Sequence, residues 1–218
     1  MTSPQPPPFT YSPHLHEYSL PLSTFSALKP QYTDFVVGGL VFSPTYKTST
    51  ALTPDPSSNS YSNSARVLLL QRSMSDSYGG YWEGPGGLCE RTDASILEGA
   101  AREVREETGL HVSHFVELVS VDQWVRSKPD RVYHVAKFTF LLDVWEASGS
   151  CSDDGGEGGG MEDSRWEDKV KVEPTEHEAF EWATEEEVRE GVGKGTGRYK
   201  FVGDQGRNLL AAFQLLAR

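Results

Sequence analysis

Cysteine is scarce: Cys89 and Cys151 are the two in 218 residues, one in a charged stretch and the other in a Gly/Asp-rich tract. A disulfide framework is not a plausible basis for stability, and free thiols in a reducing compartment are expected. Long apolar runs are missing as well. No stretch approaches the roughly 18 consecutive apolar residues of a membrane span, and no apolar core follows Met1, so the expectation is a soluble cytoplasmic protein. Positive charge is also in short supply. With 20 Lys and Arg against 32 Asp and Glu, the net charge is -12 and the pI is near 4.9. That balance argues against polymeric nucleic acid or an anionic membrane as partner, while leaving room for a local pocket that takes a small phosphate ester.

What is present fits one domain with a proper core plus extensions. Seven prolines among residues 1–30 favour extended or polyproline II backbone, and residues 1–33 read as a Pro-rich extension whose apolar stretch near Leu15 and Tyr18 can pack as an arm. The domain then runs over 34–218. Residues 34–43, DFVVGGLVFS, and 66–72, RVLLLQR, read as buried strands, the second of them central. Between them, 44–65 is a Ser/Thr/Asn/Pro-rich insertion. Residues 112–123 and 131–145 predict two more strands, and 147–163 is a low-complexity flexible loop. A short strand at 179–182 leads to Thr184, whose partner Glu187 makes a capping box; Gly191 is expected to stop the helix that follows. A last amphipathic helix over 204–218 covers the sheet.

The densest signal lies in residues 86–110, GGLCERTDASILEGAAREVREETGL. Asp93 or Ser95 can cap a helix there, Leu97, Ala100, Ala101, Val104 and Thr108 recur on one face, and Gly109 supplies a left-handed exit. At about 100° per residue, Glu103, Glu106 and Glu107 share an arc of roughly 100° beside that face. Such a cluster is either a solvated surface, relieved by Arg102 pairing with Glu98 and Glu106, or a site for a hard cation. Oxygen ligands without thiolate suit Mg²⁺ or Mn²⁺, which bind through a few carboxylates and the phosphate oxygens of a substrate. Just upstream, Trp82, Glu83, Gly84, Pro85, Gly86 and Gly87 form a turn that lets backbone approach a ligand closely.

On these residues the stretch resembles the signature of the Nudix hydrolases, G-x5-E-x7-R-E-U-x-E-E-x-G-U, matching it at Arg102, Glu103, Val104, Glu106, Glu107, Gly109 and Leu110. Its first half departs from the pattern. Asp93 stands at the acidic position and one extra residue precedes the helix, which leaves the second half in register. The resemblance implies an α/β/α sandwich with a mixed sheet between helices. It also implies Mg²⁺- or Mn²⁺-dependent hydrolysis of the diphosphate in a small nucleoside diphosphate derivative. By that resemblance Glu103, Glu106 and Glu107 ligate the metal with the Gly87 carbonyl, and Arg102 orients a glutamate. Glu106 and Glu107 act in catalysis, and the general base is either a glutamate of the helix or one from a later loop, where Glu176 and Glu178 fall.

Arg72, at a strand end beside the signature, is placed to reach a phosphate oxygen. Tyr81 is a candidate to stack on a base, and Trp82 reads as core. Two rivals stand beside this reading. A diphosphate isomerase on the same fold calls for a Cys and a Glu, and Cys89 offers weak support for it. A binding module without catalysis is the other, against which the intact glutamate set speaks.

Overall fold

The computed structural model describes residues 8–43, 65–148, 165–193 and 197–217. The expected insertion near 44–65, apart from Ala65, falls outside the described residues, and so does the Gly-rich tract from 149 to 164, Cys151 included. In chain order the elements are β1 (Thr10–Tyr11), α1 (Leu22–Leu28), β2 (Asp34–Ser43), β3 (Arg66–Arg72), β4 (Trp82–Glu83) and α2 (Ile96–Thr108). They continue with β5 (Val112–Ser127), β6 (Val132–Val144), α3 (Trp145–Ser148), β7 (His177–Thr184), α4 (Glu185–Val192) and α5 (Gln205–Leu216). Both apolar runs expected as strands form them. The sheet order is β1-β5-β6-β2-β3-β4, with β7 also paired to β3. β2 runs parallel to β6 and antiparallel to β3, so the sheet is mixed.

Alternation along β3 explains the layers. Leu68 and Leu70 join Leu97, Ala100 and Val104 of α2 in one core, while Val67 and Leu69 join Val188 of α4 and Leu209, Ala212 and Phe213 of α5 in another. A central strand that is apolar on both faces needs a helical layer on each. The result is the expected α/β sandwich.

α2 is set by its own sequence. Ser95, with extended backbone, accepts a hydrogen bond from the Glu98 N–H at 3.2 Å, and Gly109 leaves the helix at φ 71°. Ser95 and not Asp93 is therefore the cap. Ser95→Ala is expected to cost about 1 kcal/mol in a urea melt, and an unchanged midpoint would show that the cap is not limiting.

Two local expectations need correction. The Pro-rich segment is not extended throughout: Pro13–Ser19 is a 3-10 turn and Leu22–Leu28 a helix. Pro13 opens the turn and Pro21 caps the helix, positions at which a missing N–H costs nothing. Leu15 and Phe25 are fully buried, and Phe25 meets Phe35 and Phe138 edge-on at 5.2 and 5.5 Å. Gly191, expected to end α4, instead lies inside it. A Cβ there would come within 2.5 Å of the Tyr199 carbonyl, so the glycine admits the returning chain and the helix runs on to Val192. The capping box of Thr184 and Glu187 forms as expected.

Candidate active site

The residues of the signature meet at one edge of the α2 layer because the turn before α2 is tied to β2. Gly39 N–H donates to the Pro85 carbonyl and Val37 N–H to the Gly87 carbonyl, both at 2.9 Å. Gly86 must be glycine, since at φ 153° it lies so close to β2 that a Cβ would meet the Val37 carbonyl at 2.2 Å. From that position its N–H donates to Glu107 Oε2 at 2.7 Å, and Gly87 packs against the Glu103 carboxylate. A carbonyl oxygen has two lone pairs, so Gly87 keeps one free after its bond to Val37.

Arg102 is the hub of the outer side. Its Nε donates to Asp93 Oδ1 at 2.9 Å and its Nη2 to Asp93 Oδ2 at 3.1 Å and to the Leu88 carbonyl at 3.0 Å. Nη1 lies 2.8 Å from Glu106 and 3.0 Å from Glu103. The displaced acidic residue of the signature thus clamps the arginine, and it also accepts from the Glu90 N–H at 2.7 Å. The anticipated Glu106 contact is there, whereas in place of Glu98 the arginine meets Asp93, in the loop before the helix.

β7 closes the site from the opposite side. Its register with β3 pairs Phe180 with Leu70 and Ala179 with Gln71, then slips so that His177 faces Arg72. A bulge of this kind inserts one residue, Glu178, and turns the next side chain to the other face. His177 consequently shares the α2 side with Arg72 and Leu70, not the α5 side with Ala179. Glu107, Glu176 and His177 there bring one ligand atom each to within 4.8 Å of the others. They line a cleft of about 450 Å³ with Arg72, Asp76, Gly86, Gly87, Leu88, Glu103 and Thr175.

The electrostatics of this cleft are unbalanced. Glu107 is 5% exposed, and burial pushes its carboxyl up to about 9, helped by Glu103, Glu83 and Glu176 against the Gly86 hydrogen bond. Burial likewise raises Glu103, with Arg102 opposing and Glu106 and Glu176 adding to it. Among the described residues no cationic side chain lies within ion-pair distance of Glu107. A buried carboxylate without a counter-charge at Glu107, beside Glu103, a free carbonyl lone pair and an imidazole, fits a divalent cation by its donor chemistry. Glu83 differs. Burial opposes its ionisation, but a hydrogen bond from His177, the Lys137 charge and Arg72 together hold it below the ordinary carboxylate range.

Several of the anticipated residues take other places. Glu106 has a half-exposed carboxylate that points to Arg102 and does not line the cleft. Arg72 lines it while binding Glu83 at 2.5 Å and Asp76. Tyr81 does not; it stacks edge-on with Tyr78 at 5.9 Å. Glu178 is occupied in accepting the Met74 N–H at 2.8 Å. Trp82 is core, as read from the sequence. Cys89 is outside the lining and its thiol is pushed up to about 12 by burial, then by Asp93, which removes the support it lent to an isomerase. Glu83 and His177 carry no motif. Their one visible signal was a polar side chain entering an apolar β environment, Glu83 beside Trp82 and His177 before an aromatic strand.

Comparison with known proteins bears on the family and the fold. The NUDIX domain family matches residues 60–201. The chain is similar to an 8-oxo-dGTP diphosphatase of Proteus vulgaris, 32% identical over 90 residues that cover 39% of this chain and 75% of that protein. A MutT/nudix family protein from Enterococcus faecalis has the same fold at 14% identity, with a TM-score of 0.51 over 94% of this chain and 72% of its own. The NUDIX domain of Shewanella oneidensis NrtR, complexed with ADP-ribose, shares it at 14% identity and a TM-score of 0.50, covering 84% of this chain and 88% of that one.

Proposed function

Because the chain belongs to the NUDIX domain family and is a Nudix-type pyrophosphohydrolase, we propose that it cleaves the diphosphate of a nucleoside diphosphate linked to another moiety, using Mg²⁺ or Mn²⁺. The observation that carries this reading is Glu107, a buried carboxylate without a cationic partner among the described residues, grouped with Glu176 and His177 on the cleft wall. Glu103 and Glu107 would hold the cation with the Gly87 carbonyl, and Glu106 would join from the rim. When bound, the cation neutralises diphosphate oxygens and makes water a better nucleophile at phosphorus.

The remaining chemistry belongs to side chains. Arg72 contacts a phosphate oxygen by exchanging its exposed partner Asp76 for substrate while keeping Glu83. Glu176, solvent-exposed on the cleft wall, is the general base in reach of attacking water; Glu178 is otherwise engaged. Arg102 holds Glu103 and Glu106 in place with Asp93 behind it. No helix among the described residues is long and apolar enough to cross a membrane. A cytoplasmic setting suits a protein whose Cys89 is a free thiol.

The test is to measure phosphate-containing products from a panel of nucleoside diphosphate derivatives, with 8-oxo-dGTP and ADP-ribose included because relatives carry those names, with Mg²⁺ and with chelator. Turnover of at least one member that stops with chelator is expected. Absence of product from every member, or product indifferent to chelator, rejects the proposal. Mg²⁺ should also bind the native state preferentially. At a hundredfold excess over its dissociation constant it adds about 2.7 kcal/mol, roughly 5 to 11 °C in a thermal scan of a domain this size.

A further inference from the structure

His177 lies outside every motif of the sequence, yet the fold delivers it to the carboxylates. It is 2% exposed, its Nδ1 has no hydrogen-bond partner among the described residues, and one of its ring nitrogens is within 4.8 Å of Glu107 and Glu176 carboxylate oxygens. Its backbone is held from both sides, by the His177 N–H donating to the Glu173 carbonyl at 2.9 Å and the Ser73 N–H to the Glu176 carbonyl at 2.8 Å. Its Nε2 lies 3.6 Å from Glu83 Oε1. Imidazoles that bind metals commonly turn their remaining N–H toward a carboxylate, and Glu83 is the carboxylate near enough to take that part.

We propose that His177 gives a ring nitrogen to the divalent cation held at Glu107, beside the exposed Glu176, so that this site prefers Mn²⁺, Co²⁺ or Zn²⁺ to Mg²⁺. The proposal rests on the metal-site reading above and adds a ligand and a selectivity to it. With bonds of about 2.1 to 2.2 Å, donor atoms around one octahedral ion are roughly 3 to 4.4 Å apart, so the His177 and Glu107 atoms, within 4.8 Å of each other, close by at most about 2 Å to share it. Mg²⁺ favours oxygen and retains its water, whereas imidazole nitrogen suits the later divalent ions. Arg72, the cation across the strand pair, is already offset by Glu83 and Asp76.

The experiment loads the full chain with Mn²⁺ alone and looks for nitrogen coupling to the manganese by pulsed electron paramagnetic resonance, in the unmutated protein and in His177→Gln. Coupling in the first and its loss in the second are expected, with Mn²⁺ affinity down about tenfold or more and Mg²⁺ affinity changed by less than about twofold. Should the variant fail to fold, ¹⁵N-histidine labelling of the unmutated chain answers the same question, because the coupling must shift with the isotope. Mn²⁺ bound without nitrogen coupling, or coupling that survives in His177→Gln, overturns the role of His177 and leaves the metal site standing. Failure of Mn²⁺ to bind at all overturns the metal-site reading beneath it.

Discussion

Glu107→Gln is expected to lower turnover of an accepted diphosphate by about a thousandfold, roughly 4 kcal/mol of transition-state stabilisation, while leaving metal-free stability within about 1 kcal/mol of the parent. Both halves follow from the same burial. Without a cation the Glu107 carboxyl is pushed up to about 9, so near neutral pH it is already largely uncharged and the amide replaces a neutral group of the same shape. The Gly86 N–H keeps an acceptor, the side-chain carbonyl. With a cation the position must be ionised, and the amide cannot supply that charge. Steady-state hydrolysis paired with metal-free melts checks the claim; full activity in Glu107→Gln would remove this residue from the catalytic site. Glu106→Gln should cost less, because its carboxylate is half exposed and already spent on Arg102.

Arg102→Ala is expected to destabilise the fold by about 3 to 5 kcal/mol, or roughly 6 to 20 °C in melting temperature. The side chain is 16% exposed and Asp93 behind it 6%, so removal of the guanidinium strands a buried carboxylate together with the Glu103 partner and the Leu88 carbonyl. The loss measures the unpaired groups left behind, not the worth of the ion pair itself. Arg102→Lys should recover only part of it, since an ammonium cannot fork across both Asp93 oxygens. Chemical denaturation of the two variants is the check. A cost below about 1 kcal/mol for the alanine would reduce the cluster to a solvated surface pair.

That cluster also shows how far the sequence could be read. The second half of the signature was legible because a helix is local: the spacing of Arg102, Glu103, Glu106 and Glu107 along α2 follows from 3.6 residues per turn whatever surrounds it. The role of Asp93 was not. An extra residue in a loop changes where every side chain before the helix points, and only the folded loop decides that Asp93 meets Arg102 rather than the helix N-terminus. The prolines of the first thirty residues misled for a related reason. Proline restricts one backbone angle but fits the first turn of a helix, and burial of Phe25 against Phe35 and Phe138 supplies a packing gain that composition does not display.

By itself the sequence determined the strands of unbroken apolar residues, the capped amphipathic helix between them, the layers those elements must form, and the glutamates that one helix can hold. Each depends on neighbours within about a turn of helix or on a period of two, so no distant contact is needed to see it. The tertiary structure alone decided which of those glutamates faces the cleft and what meets it there. Glu83 arrives on β4 by pairing with Leu70, and His177 arrives on β7 because one inserted residue reverses its face. Simple alternation from Phe180 and Trp182 would have sent His177 to the α5 side. The register slip that brings it to Glu107 is set by pairing with β3, more than a hundred residues earlier in the chain, where β7's own alternation cannot reach.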